Sequence, residues 1–599
     1  MAARGFLLMV LHAHLPFVRH PDHDRWLEED WLYEAIIETY LPLLRTFDSL
    51  LRGGARFRLT LTMSPTLTAM LEDPVLQERF LGHLDRLIEL ATREVERTRW
   101  MPEFCHLAER YLDLFRQSRH EFEHVHGRRL VPAFARFERA GCLEILTCGA
   151  THGFLPLMLD DVQLWRGQVL TAADDHERLF GRRPRGIWLP ECGYAPGVDA
   201  VLAEAGIRHF FVDSHGVTHA SPRPRYGVYA PIRTPGGPLA FGRDPQSSRQ
   251  VWSAEAGYPG DADYREFYRD VGFDLDYDYV RPYLHSDGNR THLGIKYYRV
   301  TKEGDHKEPY DFRRAKERAA RHAEDFIARR IRQVEDMAPR MDRPPVIVSP
   351  YDAELFGHWW FEGPQWLEYL LLKLHHDQST LETITASDYE ERIGQIDEAT
   401  PSMSSWGHNG YCEYWLDPTN DWIYPPLLDA GERLEALADE FFRLGRSTHH
   451  AQGDVLAERA LAQAAREYLL AQGSDWAFIL RTGTVTEYAK WRVDGHLSNF
   501  TRLADDILAG QIDEEWLRGL EAQNIITPDV DFRVWSRRYG KNDGKDAGHD
   551  ARDHDSGNDD AGDQNSADRD SADQNSADHD SGRRAQSDAK TLPSSSSPS

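Results

Sequence analysis

Short apolar and β-branched runs recur along the first 350 positions, at Phe6–Leu11, Phe57–Thr62, Leu143–Thr147, Gly186–Leu189, His209–Val212 and Val346–Ser349. Between them apolar residues return at helical spacing, as from Trp31 to Leu51 and from Asp161 to Phe180. Strands that alternate with helices over about 400 residues predict an α/β fold, a parallel sheet or barrel. In such folds functional groups collect at the C-terminal ends of the strands.

The pattern changes in four places. From Glu72 to about Arg139 it is helical throughout, which predicts a helical insertion in one crossover. Between Ser214 and Asp311 periodicity gives way to Tyr, Gly, Pro and Arg, and a long irregular stretch of this kind predicts a binding loop region over about 214–311. From Pro425 to about Leu520 helical spacing returns, predicting a second, all-helical domain over 401–530 beside a catalytic domain over 1–400. Lys541 onward has almost no large apolar residue and holds a ten-residue repeat beginning at Asp563 and again at Asp573. Such a segment buries too little to offset ordering entropy, so 541–599 is expected to be a disordered acidic tail.

At 599 residues the chain is long enough for two or three domains. Its net charge of −28 argues against nucleic acid or an anionic membrane as partner, because phosphate binding needs clustered Lys and Arg. A neutral substrate fits, and 16 tryptophans favour one with faces to stack on. The five cysteines are widely spaced without a CxxC pair, which gives neither a disulfide framework nor a thiolate zinc site and suits a reducing cytoplasm. The apolar run Phe6–Leu11 is too short for a signal peptide or a membrane span and reads as a first strand.

Chemistry concentrates in Val346–Pro364, VIVSPYDAELFGHWWFEGP. Pro350 is expected to stop the strand, which makes Asp352 the first ionisable group past its end. Adjacent tryptophans, Trp359 and Trp360, then stand among Glu354, His358 and Glu362. Aromatic faces take the C–H side of a pyranose and carboxylates its hydroxyls, so a sugar is the natural cover for this surface. Glu191, in Gly186-Ile-Trp-Leu-Pro-Glu-Cys-Gly, repeats the logic: strand, proline, acid. Two carboxylates at the ends of different strands of one domain point into the same mouth, and glycoside cleavage needs such a pair, about 5–5.5 Å apart for retention or about 6.5–9.5 Å for inversion. Each acid alone also fits a cap or turn, and Cys192 reads as a small buried thiol rather than a nucleophile.

His12 and His14 follow the first strand on one face, and His152 follows the third. They suit hydroxyl binding or acid orientation; with Asp213 they would also suit a divalent metal, as in a metal-dependent deacetylase or amidohydrolase. Trp31, Trp360, Trp406 and Trp415 are candidate sugar contacts, although Trp415 and Trp422 also fit a packed joint between domains. Asp475 stands at a helix start, where capping is its default role.

Five segments in order, His12-Ala-His-Leu-Pro16, Gly149-Ala-Thr-His152, Trp188-Leu-Pro-Glu-Cys-Gly-Tyr194, Tyr351-Asp-Ala-Glu-Leu-Phe-Gly-His-Trp-Trp360 and Ser404-Ser-Trp-Gly407, resemble glycoside hydrolase family 57 over about residues 5–530. Phe356-Gly-His-Trp-Trp-Phe-Glu-Gly363, Val251-Trp-Ser253, Tyr264–Asp270 and Gly473-Ser-Asp-Trp476 resemble its 1,4-α-glucan branching enzymes most. The resemblance implies an incomplete (β/α)7 barrel with a helical insertion and a C-terminal helical domain that completes the cleft. It implies Glu191 as nucleophile and Asp352 as general acid/base in a retaining transfer to a sugar 6-hydroxyl, without metal or other cofactor. Trp406, Asp475, Arg269 and Gly288 correspond to substrate-binding positions. Thr484 stands where branching enzymes tend to have a glutamine, and the loop 221–248 lacks an obvious counterpart of their mobile-loop tyrosine. The expected partner is an α-glucan. An α-amylase-type hydrolase, a 4-α-glucanotransferase and a non-catalytic glucan-binding protein remain the alternatives.

Overall fold

The structure, a computed structural model, describes residues 4–158, 162–253, 257–301, 307–443 and 452–539; the expected acidic tail lies outside them. Among the described residues ten strands form the sheet: β1 (Gly5–Ala13), β2 (Leu59–Met63), β3 (Leu143–Cys148), β4 (Gly186–Trp188), β5 (His209–Val212), β6 (Ile232–Arg233), β7 (Leu239–Gly242), β8 (Val346–Asp352), β9 (Leu381–Thr383) and β10 (Asp397–Glu398). Seven of them pair parallel in the order β8-β1-β2-β3-β4-β5-β7. Among the described residues no ladder joins β7 to β8. Instead the Asp244 N–H donates to the Val348 carbonyl at 2.8 Å, so the sheet curls into an incomplete barrel of seven strands.

β1 shows why its residues form a central strand. All nine are buried, and they alternate between two cores: Leu7, Met9 and Leu11 pack outward on the helices, whereas Phe6, Leu8 and Val10 join Trp188, Phe211, Phe241 and Val348 inside the barrel. With a period of two, His12 follows Val10 onto the inner face. Val346 and Val348 share that interior core, and Asp352 is the register partner of His12. The two polar residues therefore stand at the mouth of the barrel because the apolar ones before them fill it.

Two expectations are corrected. The strand at 346 does not stop at Pro350 but runs on to Asp352, with Pro350 opposite Val10. β8 ends the run of laddered parallel strands, a position where a missing N–H is tolerated. Within the stretch read as irregular lies β7, only four residues long between Pro238 and Pro245, which supplies the seventh parallel strand.

The insertion is helical as expected, with helices Pro74–Thr98, Pro102–His120 and Leu130–Arg139. Asp73 caps the first through Leu76 N, with Pro74 at the first helical position where no N–H is needed. Towards the C-terminus five helices, from Tyr424–Arg443 to Glu514–Gln523, belong to the same compact unit as the barrel, Met1–Gly540. They are tied to the loop after β3 and to the helix Val162–Phe180: Ser474 N donates to the His152 carbonyl at 3.0 Å, and Gln168 Nε2 to Gln472 Oε1 at 2.8 Å.

Candidate active site

A cavity of about 910 Å³ lies at the C-terminal ends of the strands and is lined by Glu191, Asp352, all three predicted histidines and Asp475. A larger groove of about 1200 Å³ beside the helical insertion includes neither Glu191 nor Asp352.

Glu191 follows β4 in a strained turn. Its backbone is left-handed (φ 61°, ψ 25°), and so is that of Cys192 (φ 52°). Two successive non-glycine residues in this region persist only where surrounding bonds over-determine them, a pattern that gathers at functional sites. Here Cys192 N donates to Leu189 O, Gly193 N to Pro190 O, and Trp406 N to Glu191 O, at 2.8–2.9 Å. The carboxylate accepts from Trp406 Nε1 at 2.7 Å and from Ser474 Oγ at 3.1 Å. Burial pushes its pKa up to about 7, and the charge of Asp475 adds to this; the Trp406 and Ser474 hydrogen bonds and His14 pull the other way.

Asp352 is held well above the usual carboxylate range, first by burial and then by the charges of Glu354 and Glu191, against the opposing guanidinium of Arg243. Glu354 accepts from the Tyr40 hydroxyl at 2.5 Å and from His14 N at 3.3 Å, and burial lifts it to about 7. One acid of the pair is thus held by two donors to its charged form, while the other sits among like charges. Such contrasting environments separate a nucleophile from an acid/base.

The three histidines stack at ring spacings of 3.8–5.8 Å, with Trp188 against His12. Every one of their ring nitrogens has a partner. His12 meets Thr62 Oγ1 at 2.6 Å and His152 Nε2 at 3.0 Å; His14 meets Ser64 Oγ at 2.8 Å and Asp475 at 3.1 Å; His152 meets Ser474 Oγ at 2.7 Å. Burial, then neighbouring imidazoles, lowers His12 and His152 well below the ordinary value, whereas His14 is raised because Asp475, Glu191 and Glu354 outweigh its burial. Atoms of His14, His152 and Asp475, and of His12, Cys148 and His152, lie within 4.8 Å of one another. With all six nitrogens engaged inside the protein, we read the cluster as a hydrogen-bonding network rather than a ligand set. Asp213, the acid expected to join a metal, instead pairs with Arg243 at 3.2 Å and caps its own short helix.

The chain matches the family model "Glycosyl hydrolase family 57" over residues 8–400 and the model "1,4-alpha-glucan branching enzyme, C-terminal" over 433–535. The chain belongs to glycosyl hydrolase family 57. An α-amylase of Thermotoga maritima is similar in structure, with TM-score 0.82 and 43% identity over 89% of this chain and 99% of that one. A branching enzyme of this family from Pyrococcus horikoshii has TM-score 0.78 and 32% identity over 89% and 97%. A 1,4-α-glucan branching enzyme of Thermococcus kodakarensis is 32% identical over 87% of this chain and 77% of its own.

The walls of this family 57 cavity include Trp31, Trp406 and Trp415. Trp415 stacks on Phe154 at 4.7 Å and is only 2% exposed, so most of it is joint rather than platform. Asp475 does not cap its helix, whose cap residue is Gly473; its carboxylate goes to His14 instead. Trp360 is corrected: it is 1% exposed, packs on Tyr264 and Trp366, and does not line the cavity. Its neighbour Trp359, 52% exposed and stacked on Phe267 at 4.4 Å, does. Arg269 and Gly288 also lie outside the lining: Arg269 pairs with Asp274 at 2.7 Å, and the Gly288 carbonyl accepts from the Tyr277 hydroxyl at 2.9 Å.

Sequence reasoning missed Trp252, Phe478 and Arg243, all at the cavity wall. Trp252 is 38% and Phe478 40% exposed, and the Arg243 guanidinium lies 5.4 Å from the Trp406 ring centroid. Arg243 directly follows β7, so recognising that strand would have marked it.

Proposed function

We propose that this family 57 protein is a 1,4-α-glucan branching enzyme. Glu191 attacks the anomeric carbon of an α-1,4-linked glucan, and Asp352 protonates the departing chain. A sugar 6-hydroxyl, deprotonated by Asp352, then releases the glucan from Glu191 with net retention. The observation that carries this reading is the contrast between the two acids of one cavity: the Glu191 carboxylate receives two hydrogen bonds, whereas burial and then like charges keep the proton on Asp352. The match of residues 433–535 to a branching-enzyme C-terminal model supports transfer over hydrolysis.

The aromatic walls suit the faces of glucose units and help to exclude water, which transfer requires. We read 401–530 as the region completing the cleft, because Trp406, Trp415, Asp475 and Phe478 all line it. Glycogen-type glucan as substrate and a cytoplasmic setting complete the proposal. The five cysteines are free, and no helix among the described residues is long and apolar enough to cross a membrane.

The 43% identical structure is that of an α-amylase, which favours hydrolysis as the second reading. Amylose incubated with the protein distinguishes them: branching raises α-1,6 linkages with few new reducing ends, whereas hydrolysis raises reducing ends alone. Absence of new α-1,6 linkages would overturn the proposal.

A further inference from the structure

Ser474 lies between the Glu191 carboxylate and a line of buried side chains that ends at Thr62 on β2. The contacts are Thr62 Oγ1 to His12 Nδ1 at 2.6 Å, His12 Nε2 to His152 Nε2 at 3.0 Å, His152 Nδ1 to Ser474 Oγ at 2.7 Å and Ser474 Oγ to Glu191 Oε1 at 3.1 Å. Thr62, His12, His152 and Ser474 are all buried, and they come from β2, β1, the loop after β3 and a C-terminal helix.

Their directions follow from counting protons. An ionised Glu191 can only accept, so Ser474 gives it its single hydroxyl proton and must itself accept from His152 Nδ1–H. A neutral His152 then has a bare Nε2, which takes a proton from His12 Nε2–H. His12 in turn has a bare Nδ1 and accepts from the Thr62 hydroxyl. Every link points toward Glu191, and no other assignment of neutral rings satisfies all four contacts while Ser474 donates. Aligned hydrogen bonds polarise one another, so the last one is stronger than a lone serine would supply.

We propose that Ser474, oriented by His152, His12 and Thr62, is the positioning residue that keeps Glu191 ionised and aimed for attack. This rests on the reading of Glu191 as nucleophile and deepens it. It also gives His12 and His152 a role other than binding sugar hydroxyls, since their nitrogens are spent within the line. After the glucosyl bond forms, Oε1 or Oε2 becomes an ester oxygen with less charge, and the line weakens. It therefore favours the ionised carboxylate at both ends of the cycle.

Other charged groups face Glu191 and the line as well. His14 directly follows β1, Cys148 ends β3, Asp352 ends β8 and Glu354 follows it, Arg243 comes from the loop after β7, and Asp475 from the helix that carries Ser474. A shift on removing Ser474 must be read against these, which the variants below leave in place.

The test is the pH dependence of kcat/KM on amylose for Ser474→Ala, Ser474→Thr and Thr62→Val in the full chain. Ser474→Ala is expected to move the acid limb up by about one unit and to lower kcat about tenfold with KM little changed, the worth of one hydrogen bond to a charged group. Ser474→Thr restores both, and Thr62→Val moves the limb the same way by less, although it lies three links from Glu191. An acid limb unmoved in Ser474→Ala and Thr62→Val overturns the proposal. Should Ser474→Ala fail to fold, ¹⁵N shifts of the histidines in the wild-type protein decide: His152 protonated at Nδ1 and His12 at Nε2 support the line, and any other pair of tautomers refutes it. Activity retained in Glu191→Gln would instead sink the nucleophile assignment, a result separate from either outcome.

Discussion

Trp406 holds Glu191 twice: its indole N–H donates to Oε2 at 2.7 Å, and its backbone N–H donates to the Glu191 carbonyl at 2.8 Å. The residues are 215 positions apart, and Trp406 lies beyond the last strand of the sheet. A segment remote in sequence thus fixes both the side chain and the left-handed backbone of the acid after β4. Trp406→Phe keeps the ring and loses the indole donor. It is expected to lower kcat about tenfold, the effect of one lost charge-assisted hydrogen bond, while Trp406→Ala also raises KM. Steady-state kinetics on amylose separates the two.

On the proposed mechanism the free enzyme needs Glu191 ionised and Asp352 protonated. With Glu191 at about 7, kcat/KM is expected to rise with pH through that value and to fall again on the alkaline side as Asp352 loses its proton. A profile flat from pH 5 to 7 would contradict this.

The same shift predicts a stability cost. Because the native pKa of Glu191 is raised from 4.5 to about 7, the native state binds the proton more tightly, and stability falls as pH rises through that window. Above it the penalty is about 3 kcal/mol, so Glu191→Gln is expected to melt higher than wild type at pH 8 while losing about 10⁴-fold or more in turnover. The gap in melting temperature should close as pH falls toward 4.5. Thermal unfolding across pH checks both the sign and the window.

Adjacent tryptophans divide their work. Trp359→Ala is expected to raise KM with little change in melting temperature, whereas Trp360→Ala, emptying a buried site, costs about 3–5 kcal/mol of stability. Gly357 opens the turn that carries both, its N–H donating to the Trp360 carbonyl at 2.8 Å, with φ at 116° and the Glu38 carbonyl where a Cβ would stand, at 1.6 Å. Gly357→Ala is therefore expected to cost about 3 kcal/mol or more, read from chemical denaturation.

These cases show what was readable in the sequence. That Glu191 and Asp352 stand at the barrel mouth was, since each is the first acid at the C-terminal end of an apolar strand, although β8 carries Asp352 as its own last residue rather than breaking at Pro350. Trp359 and Trp360 were confused because the pattern around them has no period that would tell which ring turns inward. β7 was lost for its length: four residues between prolines leave no alternation to detect, and Arg243 went with it. Asp475 looked like a cap because its true partner, His14, is 461 positions away. Local signals marked the acids and several of their neighbours, while which of them pair, as Trp406 does with Glu191 across 215 positions, left no local trace.

Glu191 as nucleophile is tested most directly with Asp352→Asn and an α-maltosyl fluoride donor, whose fluoride leaves without a general acid. Lacking its base for the second step, the variant should accumulate a glycosyl-enzyme, and peptide mass spectrometry should find the sugar on Glu191. Label on another residue, or turnover of the fluoride with no covalent species, would contradict the assignment of Glu191 as nucleophile.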